Sequence, residues 1–456
     1  MNLEPARPTP SVGALAPSAA PLTLVELPAP LTLVELPAPL ATPEAFLAAA
    51  TGPDGTLDTA LLYAPPTGPA LAGVGIAATL TAGPTFTADA RALLAALAVT
   101  GAATPRFVGA LPFAPDAQAG PEWDALGAGR FILPRWLYRT DGTRATVTIA
   151  ARTGDAHARA ALAPVLTRLS AAPAAPAHRP ARAQVIDDDA AGFRARVRAI
   201  LELVAAGRLA KAVAARRVRL LLAAPLAPAA LLGQLAKTQP GCTRFALLSS
   251  GVCFLGATPE LLVRRRGLTV ETEALAGSIA VSAAGHAAQL ALSEKDLREH
   301  AHVVGALAAG LAPRCTALDV AATPHVRTLP GLAHLATAIT GRLAAPAHIV
   351  DLALALHPTP ATSGVPAAAA LELVARTEPW RGLYAGPFGW FDADGDGEFV
   401  VALRSGRFCE REAELYAGAG IVAGSDPDRE FDETTLKLGA LLGALEGVLD
   451  GELERA

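Results

Sequence analysis

Near the end of the chain, Glu430, Glu433 and Lys437 follow one another at intervals of three and four residues, the spacing that puts side chains on one face of a helix. Two carboxylates and an ammonium on one face suit a hard cation and an organic acid together. Alone, the pattern reads equally as a solvated helix face with an ordinary ion pair. Two neighbours shift the balance. Just upstream, the stretch Glu414-Leu-Tyr-Ala-Gly418-Ala-Gly420 reads as a short strand breaking into a glycine turn, where Gly418 and Gly420 leave backbone N–H groups bare for an anion. Ser425 or Asp426 is placed to cap the helix that follows, and Pro427 suits its first turn. Far upstream, Asp296 and Glu299 repeat the three-residue spacing in Glu294-Lys-Asp-Leu-Arg-Glu-His300. Two helices that each offer two carboxylates are the simplest way to hold a Mg²⁺ that keeps waters and a substrate oxygen. By itself the upstream pair is only a charged first turn favoured by the helix dipole.

Other residues could do acid–base work. Lys211 stands between apolar residues. It reads either as a lysine snorkelling from a strand edge or as an amine partly stripped of water and able to take a proton from it. Glu260 follows Thr258-Pro259 at the end of an apolar strand and reads as a turn cap or a general acid. His334, in Leu332-Ala-His-Leu-Ala-Thr337, reads by default as a core histidine, and His357, in Leu356-His-Pro-Thr-Pro-Ala361, is equally ambiguous.

The elements needed to position these residues are legible in part. A helix starts at Pro43, residues 73–77 read as a strand and residues 88–99 as a helix. Sheet is expected at 107–113, 129–134 and 146–149. Beyond a Pro/Ala-rich linker at 171–183, the pattern gives a helix over 190–206 and a strand from Lys211 to Leu220. Hairpins follow at 244–257 and 262–272, helices at 293–309 and 350–356, and strands at 384–391 and 398–404. The nine residues from Leu22 to Pro30 recur unchanged from Leu31 to Pro39, too short a repeat for a solenoid. It reads as a tandem duplication in a mobile segment, one copy adding an edge strand.

At 456 residues with a net charge of −4, the chain has ample material for a core and no electrostatic case for nucleic acid or an anionic membrane. Cys242, Cys253, Cys315 and Cys409 show no C-x-x-C spacing, which argues against a zinc ribbon or a disulfide scaffold and fits a reducing cytoplasm. No secretory leader is evident. The longest uncharged apolar run, residues 220–236, is broken by Pro225 and Pro228 and falls short of a bilayer span. A cytoplasmic monomer is expected.

Eight blocks, in order over roughly residues 195–445, resemble the chorismate-binding enzymes, and among them the isochorismate synthases most closely. They are Lys211-Ala-Val-Ala-Ala-Arg; Phe254-Leu-Gly-Ala-Thr-Pro-Glu-Leu-Leu262; Glu271-Thr-Glu-Ala-Leu-Ala-Gly-Ser278; Lys295-Asp-Leu-Arg-Glu-His300; Leu356-His-Pro-Thr-Pro-Ala361; Arg381-Gly-Leu-Tyr-Ala-Gly-Pro-Phe-Gly-Trp390; Gly395 to Ser405; and Leu415 to Lys437. The resemblance implies an α+β fold like that of anthranilate synthase component I, with two antiparallel sheets packed face to face and helices outside. It divides the chain into an N-terminal segment at 1–41, an N-terminal part of the fold at 42–186 and a catalytic region at 187–456. It implies Mg²⁺-dependent addition of water to the chorismate ring, with attack at C2 and departure of the C4 hydroxyl. Lys211 would be the base and Glu260 the acid. Glu299 and Glu433 would bind Mg²⁺, with Asp296 and Glu430 behind them through water. Tyr384, Arg404, Gly418, Gly420 and Lys437 would hold the substrate carboxylates, and Gly277, Ser278 and His334 would line the ring site.

Relatives that deliver ammonia, or use a lysine of the substrate loop, lack a lysine at the position of Lys211. Here Lys211 is present and Ala276 stands where a nucleophilic lysine would, so water is the expected nucleophile and no glutamine amidotransferase subunit is implied. Salicylate synthases share the lysine and then eliminate pyruvate. His357-Pro-Thr-Pro-Ala361 looks like the isochorismate type, although Thr362-Ser363-Gly364 departs from it. From another class, Gly418-x-Gly420-x-x-x-Gly424 could be a dinucleotide fingerprint, but too little chain follows for the second strand and its ribose-binding acid. A non-catalytic anion-binding protein is the remaining alternative.

Overall fold

The computed structural model describes residues 31–52, 57–81, 98–100, 103–114, 120–127, 129–152, 155–171, 182–281, 285–449 and 453–454. Alternating apolar runs rich in Val, Leu and Phe leave one strand face seeking cover and the backbone groups seeking partners. Both needs are met by one continuous hydrogen-bonded sheet of 22 strands among the described residues, bent into two antiparallel arms.

The first arm runs, neighbour to neighbour, through Ala145–Arg152, Arg130–Thr140, Ala70–Thr81, Thr59–Ala64, Thr243–Ser249, Val252–Thr258, Ser405–Cys409, Glu412–Val422 and Lys211–Leu222. The second runs through Arg106–Ala110, Pro387–Asp392, Gly397–Val401, Leu261–Arg266, Thr269–Ala280 and Leu332–Leu343. The strand Arg130–Thr140 also pairs with Arg106–Ala110, at Val108↔Ile132 and Gly109↔Phe131. The two face-to-face layers are therefore one ladder rather than two separate sheets. Their inner faces meet in a shared aromatic core, in which the rings of Phe245 from one arm and Phe388 from the other lie 4.9 Å apart. Helices Pro43–Ala50, Ala156–Ser170, Pro228–Thr238 and Pro427–Glu446 cover the outside of the first arm through a second cluster of leucines and alanines.

The chain crosses between the arms twice within a short distance. Val252–Thr258 belongs to the first arm and Leu261–Arg266 to the second; Gly397–Val401 belongs to the second and Ser405–Cys409 to the first. The crossings are bonded to each other: Val401 N–H donates to the Glu260 carbonyl at 3.0 Å and Ala257 N–H to the Arg404 carbonyl at 3.3 Å. Glu260 and Arg404 thus stand side by side where the arms meet.

Several expectations change. The second copy of the nine-residue repeat forms Leu31–Pro37, which is not an edge. It pairs antiparallel with Ala145–Arg152 and parallel with Ala98–Thr100, because Leu31 and Leu33 bury on a two-sided ladder. The first copy, and the linker residues 172–181, lie outside the described residues. Of the helix expected at 88–99, residues up to 97 also lie outside them, and Ala98–Thr100 is strand. The strand expected from Tyr384 begins at Pro387. Among the described residues no helix is long and apolar enough to cross a membrane, and all four cysteines are free thiols.

Leu445 is fully buried where Pro427–Glu446 packs on the first arm. Leu445→Ala is expected to lower unfolding free energy by about 2–5 kcal/mol, read by guanidinium titration. A loss below about 1 kcal/mol would show that this helix end does not close the outer core.

Candidate active site

Lys211 opens the strand Lys211–Leu222 and is held on both edges, by Val422 and by Val365. Its side chain has no solvent exposure. A buried ammonium without a partner is costly, and its partner is Glu299, whose Oε1 lies 2.9 Å from Nζ. Glu299 comes from the helix Glu294–Leu311, capped by Ser293. That helix can come so close because the facing strand carries glycine. A Cβ at Gly420 would lie 2.1 Å from Glu299 Oε1 and 2.9 Å from Lys211 Cε. Gly277 serves the same helix. It sits at φ +74° in a bulge of the ladder, and a Cβ there would meet Asp296 Cβ at 3.0 Å.

The glycine turn expected at Gly418 and Gly420 is instead unbroken strand: Glu412–Val422 pairs with Lys211–Leu222 along its whole length. The chain turns later, at Gly424 with φ +87°, and Asp426 then caps the helix by accepting from Asp428 N–H and Arg429 N–H. The backbone is nevertheless open on one side. Pairing with Ser405–Cys409 stops at Tyr416, and the Gly418 carbonyl accepts from Lys437 Nζ at 2.8 Å. In a strand a residue's N–H and C=O point to the same edge, so the amides of Gly418 and Gly420 face away from Lys211–Leu222.

These groups border a cavity of about 740 Å³ including its mouth. Its wall includes Glu260, Gly277, Ser278, Glu299, His334, Tyr384, Arg404, Gly418, Gly420 and Lys437. Lys211, Asp296, Glu430 and Glu433 are not part of that wall; Lys211 reaches it through Glu299, and Glu433 through Lys437. On the far side, Arg404 Nη2 donates to His334 Nε2 at 2.9 Å. An arginine can only donate, so the His334 proton belongs on Nδ1, which faces the Gly277 carbonyl at 3.2 Å and Ser278 Oγ at 3.0 Å. Burial, then Arg404 and Lys437, hold His334 well below the usual imidazole range and keep it neutral. Glu260 is buried and its carboxyl is pushed from 4.5 up to about 7, by burial first and with a contribution from Glu273, against the pull of Lys211 and Lys437. A carboxyl that keeps its proton near neutral pH is the form a general acid needs.

The four acids on the two helices are each engaged. Glu299 bonds Lys211, Glu430 Oε1 accepts from Lys295 at 2.6 Å, Glu433 Oε1 pairs with Lys437 at 2.7 Å, and Asp296 bonds Ser293. They also repel one another. Burial, then Glu299 and Glu433, raise Asp296, while burial and then Glu433 raise Glu430. Burial pulls Glu299 upward too, but Lys211, Lys437 and Lys295 outweigh it and hold it low. Among the described residues no three His, Cys, Asp or Glu groups stand at metal-binding spacing. The donor set is all carboxylate, the chemistry of a hard divalent cation, closed here on lysines and a hydroxyl.

Three polar wall residues were not singled out as site residues from the sequence. Arg381 bonds Glu378 and donates to the carbonyls of Thr362, 2.7 Å, and Val213, 3.0 Å. Tyr416 stacks on Tyr384, with ring centres 5.2 Å apart. Thr362 forms part of the wall. Arg381 and Tyr416 lie inside quoted blocks, but nothing in local spacing tells a wall residue from its buried neighbours. His357 is not part of the cavity wall and bonds the Phe113 carbonyl at 2.8 Å, as a core histidine does.

The family profile described as "Chorismate binding enzyme" matches residues 31–446. The isochorismate synthase DhbC of Bacillus subtilis is 41% identical over 256 residues, spanning 53% of this chain and 64% of that protein. The salicylate biosynthesis isochorismate synthase of Pseudomonas aeruginosa is 36% identical over 369 residues, 76% of each chain. Among solved structures, the menaquinone-specific isochorismate synthase of Escherichia coli superposes with a TM-score of 0.76 at 27% identity, covering 92% of this chain and 96% of that one.

The raised Glu260 carboxyl has a consequence for stability. Its folded value of about 7 exceeds its ordinary 4.5, so the folded state binds the extra proton between those values, and stability from this group is lost as pH rises toward 7 and beyond. Glu260→Gln is expected to raise the melting temperature at pH 8 relative to wild type and to change it little at pH 4. An equal shift at both pH values would show that the carboxyl is not held protonated.

Proposed function

This chain belongs to the family of chorismate-binding enzymes, and from that membership we propose that it converts chorismate to isochorismate. The observation that carries the reading is a carboxyl on the cavity wall that keeps its proton near neutral pH, with a buried lysine reaching the same wall through Glu299. Lys211 takes a proton from the water that attacks C2. Glu260 gives its proton to the departing C4 hydroxyl, which leaves as water. One oxygen is added and one is lost, so the product is an isomer. Lys211 donates to Glu299 in the resting arrangement, so the ammonium must give up both this bond and a proton before the amine can take one from water.

The substrate is a dianion. Arg404, Lys437 and the open amides of Gly418 and Gly420 supply the positive and donor groups for its carboxylates, with Tyr384 beside them. Gly277, Ser278 and neutral His334 border the ring. Glu299 and Glu433 are the residues that would hold Mg²⁺, with Asp296 and Glu430 behind them through water; the all-oxygen donor set and the mutual repulsion of its members favour such a cation. A Mg²⁺ there supplies charge that holds the ring carboxylate. Water rather than ammonia is the nucleophile, because Lys211 is present and Ala276 offers no amine. The named relatives divide between menaquinone and other pathways, so the assignment stops at the reaction.

Purified protein given chorismate and Mg²⁺ is expected to yield a product of unchanged mass, with turnover abolished by EDTA and restored by added Mg²⁺. Lys211→Ala should fold and lose about 10²–10⁴-fold in kcat. Salicylate with pyruvate would move the enzyme to the eliminating class, and no turnover with Mg²⁺ would favour an anion-binding protein. Gly420→Ala pushes on the Lys211–Glu299 pair and should lower kcat about 100-fold with an unchanged circular dichroism spectrum; full activity would show that the pair need not sit where it does.

A further inference from the structure

The carboxyl group of Glu260 has no hydrogen-bond partner among the described residues, so its aim depends on the backbone that carries it. That backbone is the Thr258–Leu261 crossing. It is held from the front by Val401 N–H on the Glu260 carbonyl, and its own N–H donates to Thr258 Oγ1 at 3.2 Å. From behind, a single side chain holds it. Arg327 Nη1 donates to the Pro259 carbonyl at 3.2 Å and to Glu273 Oε2 at 2.6 Å, while Nη2 donates to the Gly241 carbonyl at 3.0 Å.

The placement of Arg327 makes this more than a surface ion pair. It lies on His325–Leu329, directly opposite His334 in the ladder, and Glu273 lies on Thr269–Ala280 of the same arm. The two carbonyls belong to the loop entering Thr243–Ser249 and the turn leaving Val252–Thr258, both in the other arm. One guanidinium therefore spans the seam between the arms at the residue before Glu260. Its planar fork suits several fixed acceptors at once, which an ammonium does not. Arg327 and Glu273 border a second cavity behind Pro259 and form no part of the wall around Glu260, whereas Pro259 borders both. Replacing Arg327 thus removes no wall residue.

We propose that Arg327 is a positioning residue for Glu260, its guanidinium clamping the Pro259 and Gly241 carbonyls against the Glu273 carboxylate so that the carboxyl is aimed at the departing hydroxyl. The inference rests on Glu260 being the acid of the proposed reaction. Displacement of a reacting group by about 1 Å costs on the order of 100-fold in rate. Arg327→Met is accordingly expected to lower kcat about 10–100-fold with KM changed less than about threefold. Arg327→Lys, which keeps the charge and loses the fork, should fall between the two and serves if the methionine variant does not fold.

The deciding comparison uses Glu260→Gln as background. Effects that run through one group do not add, so Arg327→Met should cost less than about twofold further there. Multiplying losses, or a raised KM with kcat intact, would overturn the proposal, the second by placing Arg327 with His334 and Arg404 in binding. Hydrogen exchange supplies a readout free of any reaction. The Val401 amide, bonded to the Glu260 carbonyl, should exchange at least about tenfold faster in Arg327→Met. Unchanged exchange would overturn the clamp. Faster exchange in a protein whose wild type leaves chorismate untouched would uphold the clamp and sink the functional reading instead.

Discussion

The burial of the Lys211 ammonium is the constraint around which the site is arranged. With no solvent to share its charge, it requires a carboxylate, and leaving either partner alone would cost about 3–5 kcal/mol. Glu299 can be that carboxylate only if the helix Glu294–Leu311 packs almost onto the strand Glu412–Val422. Close approach demands a strand without a side chain at the contact, and Gly420 meets the demand, whereas Gly418 gives room to the Tyr384 hydroxyl. The amides of both face the open edge of the strand beside the cavity. A requirement of packing and a provision for anions thus meet at Gly420.

From this follows a set of ion pairs beside the cavity that is made before any ligand enters. Lys211, Lys295 and Lys437 each answer a carboxylate from one of the two helices. Nearby, Glu260 is placed where burial outweighs two lysines and keeps it protonated. The acids therefore divide into those engaged by a lysine or a hydroxyl and a single one that burial keeps protonated. Their environments separate them, as an acid–base pair of roles requires.

What the sequence disclosed was chemistry and local structure. The cap at Asp426, the strand beginning at Lys211, the hairpin of Thr243–Ser249 with Val252–Thr258, and the three-residue acidic spacings are all properties of adjacent residues. Gly418 and Gly420 misled because glycine in isolation signals a turn, whereas here the cause is long-range packing, of Gly420 against Glu299 and of Gly418 against Tyr384. The joining of the two arms through Arg130–Thr140 was equally hidden. That strand pairs with three others, and register between distant strands leaves no local signature. The abundance of alanine also weakens the amphipathic contrast that would have marked helices such as Pro228–Thr238. Arg327 escaped notice for a related reason: its meaning lies in two carbonyls, which any residue could supply.

The crossings explain why acid and clamp end up together. A bent sheet with two arms must pass the chain from one to the other, and at each passage the ladder is interrupted, so a side chain is released from the alternation of the pleat. Glu260 and Arg404 occupy such places, and Arg404 takes the left-handed conformation at φ +48° that ordinary strand geometry forbids. Because the crossings hydrogen-bond to each other, neither residue can move without the other. A rearrangement of the seam between the arms would therefore shift the proton donor and the anion clamp as one unit, and the rigidity of that seam, more than the strength of any single contact, keeps the carboxyl of Glu260 at a fixed place relative to the groups that hold the substrate.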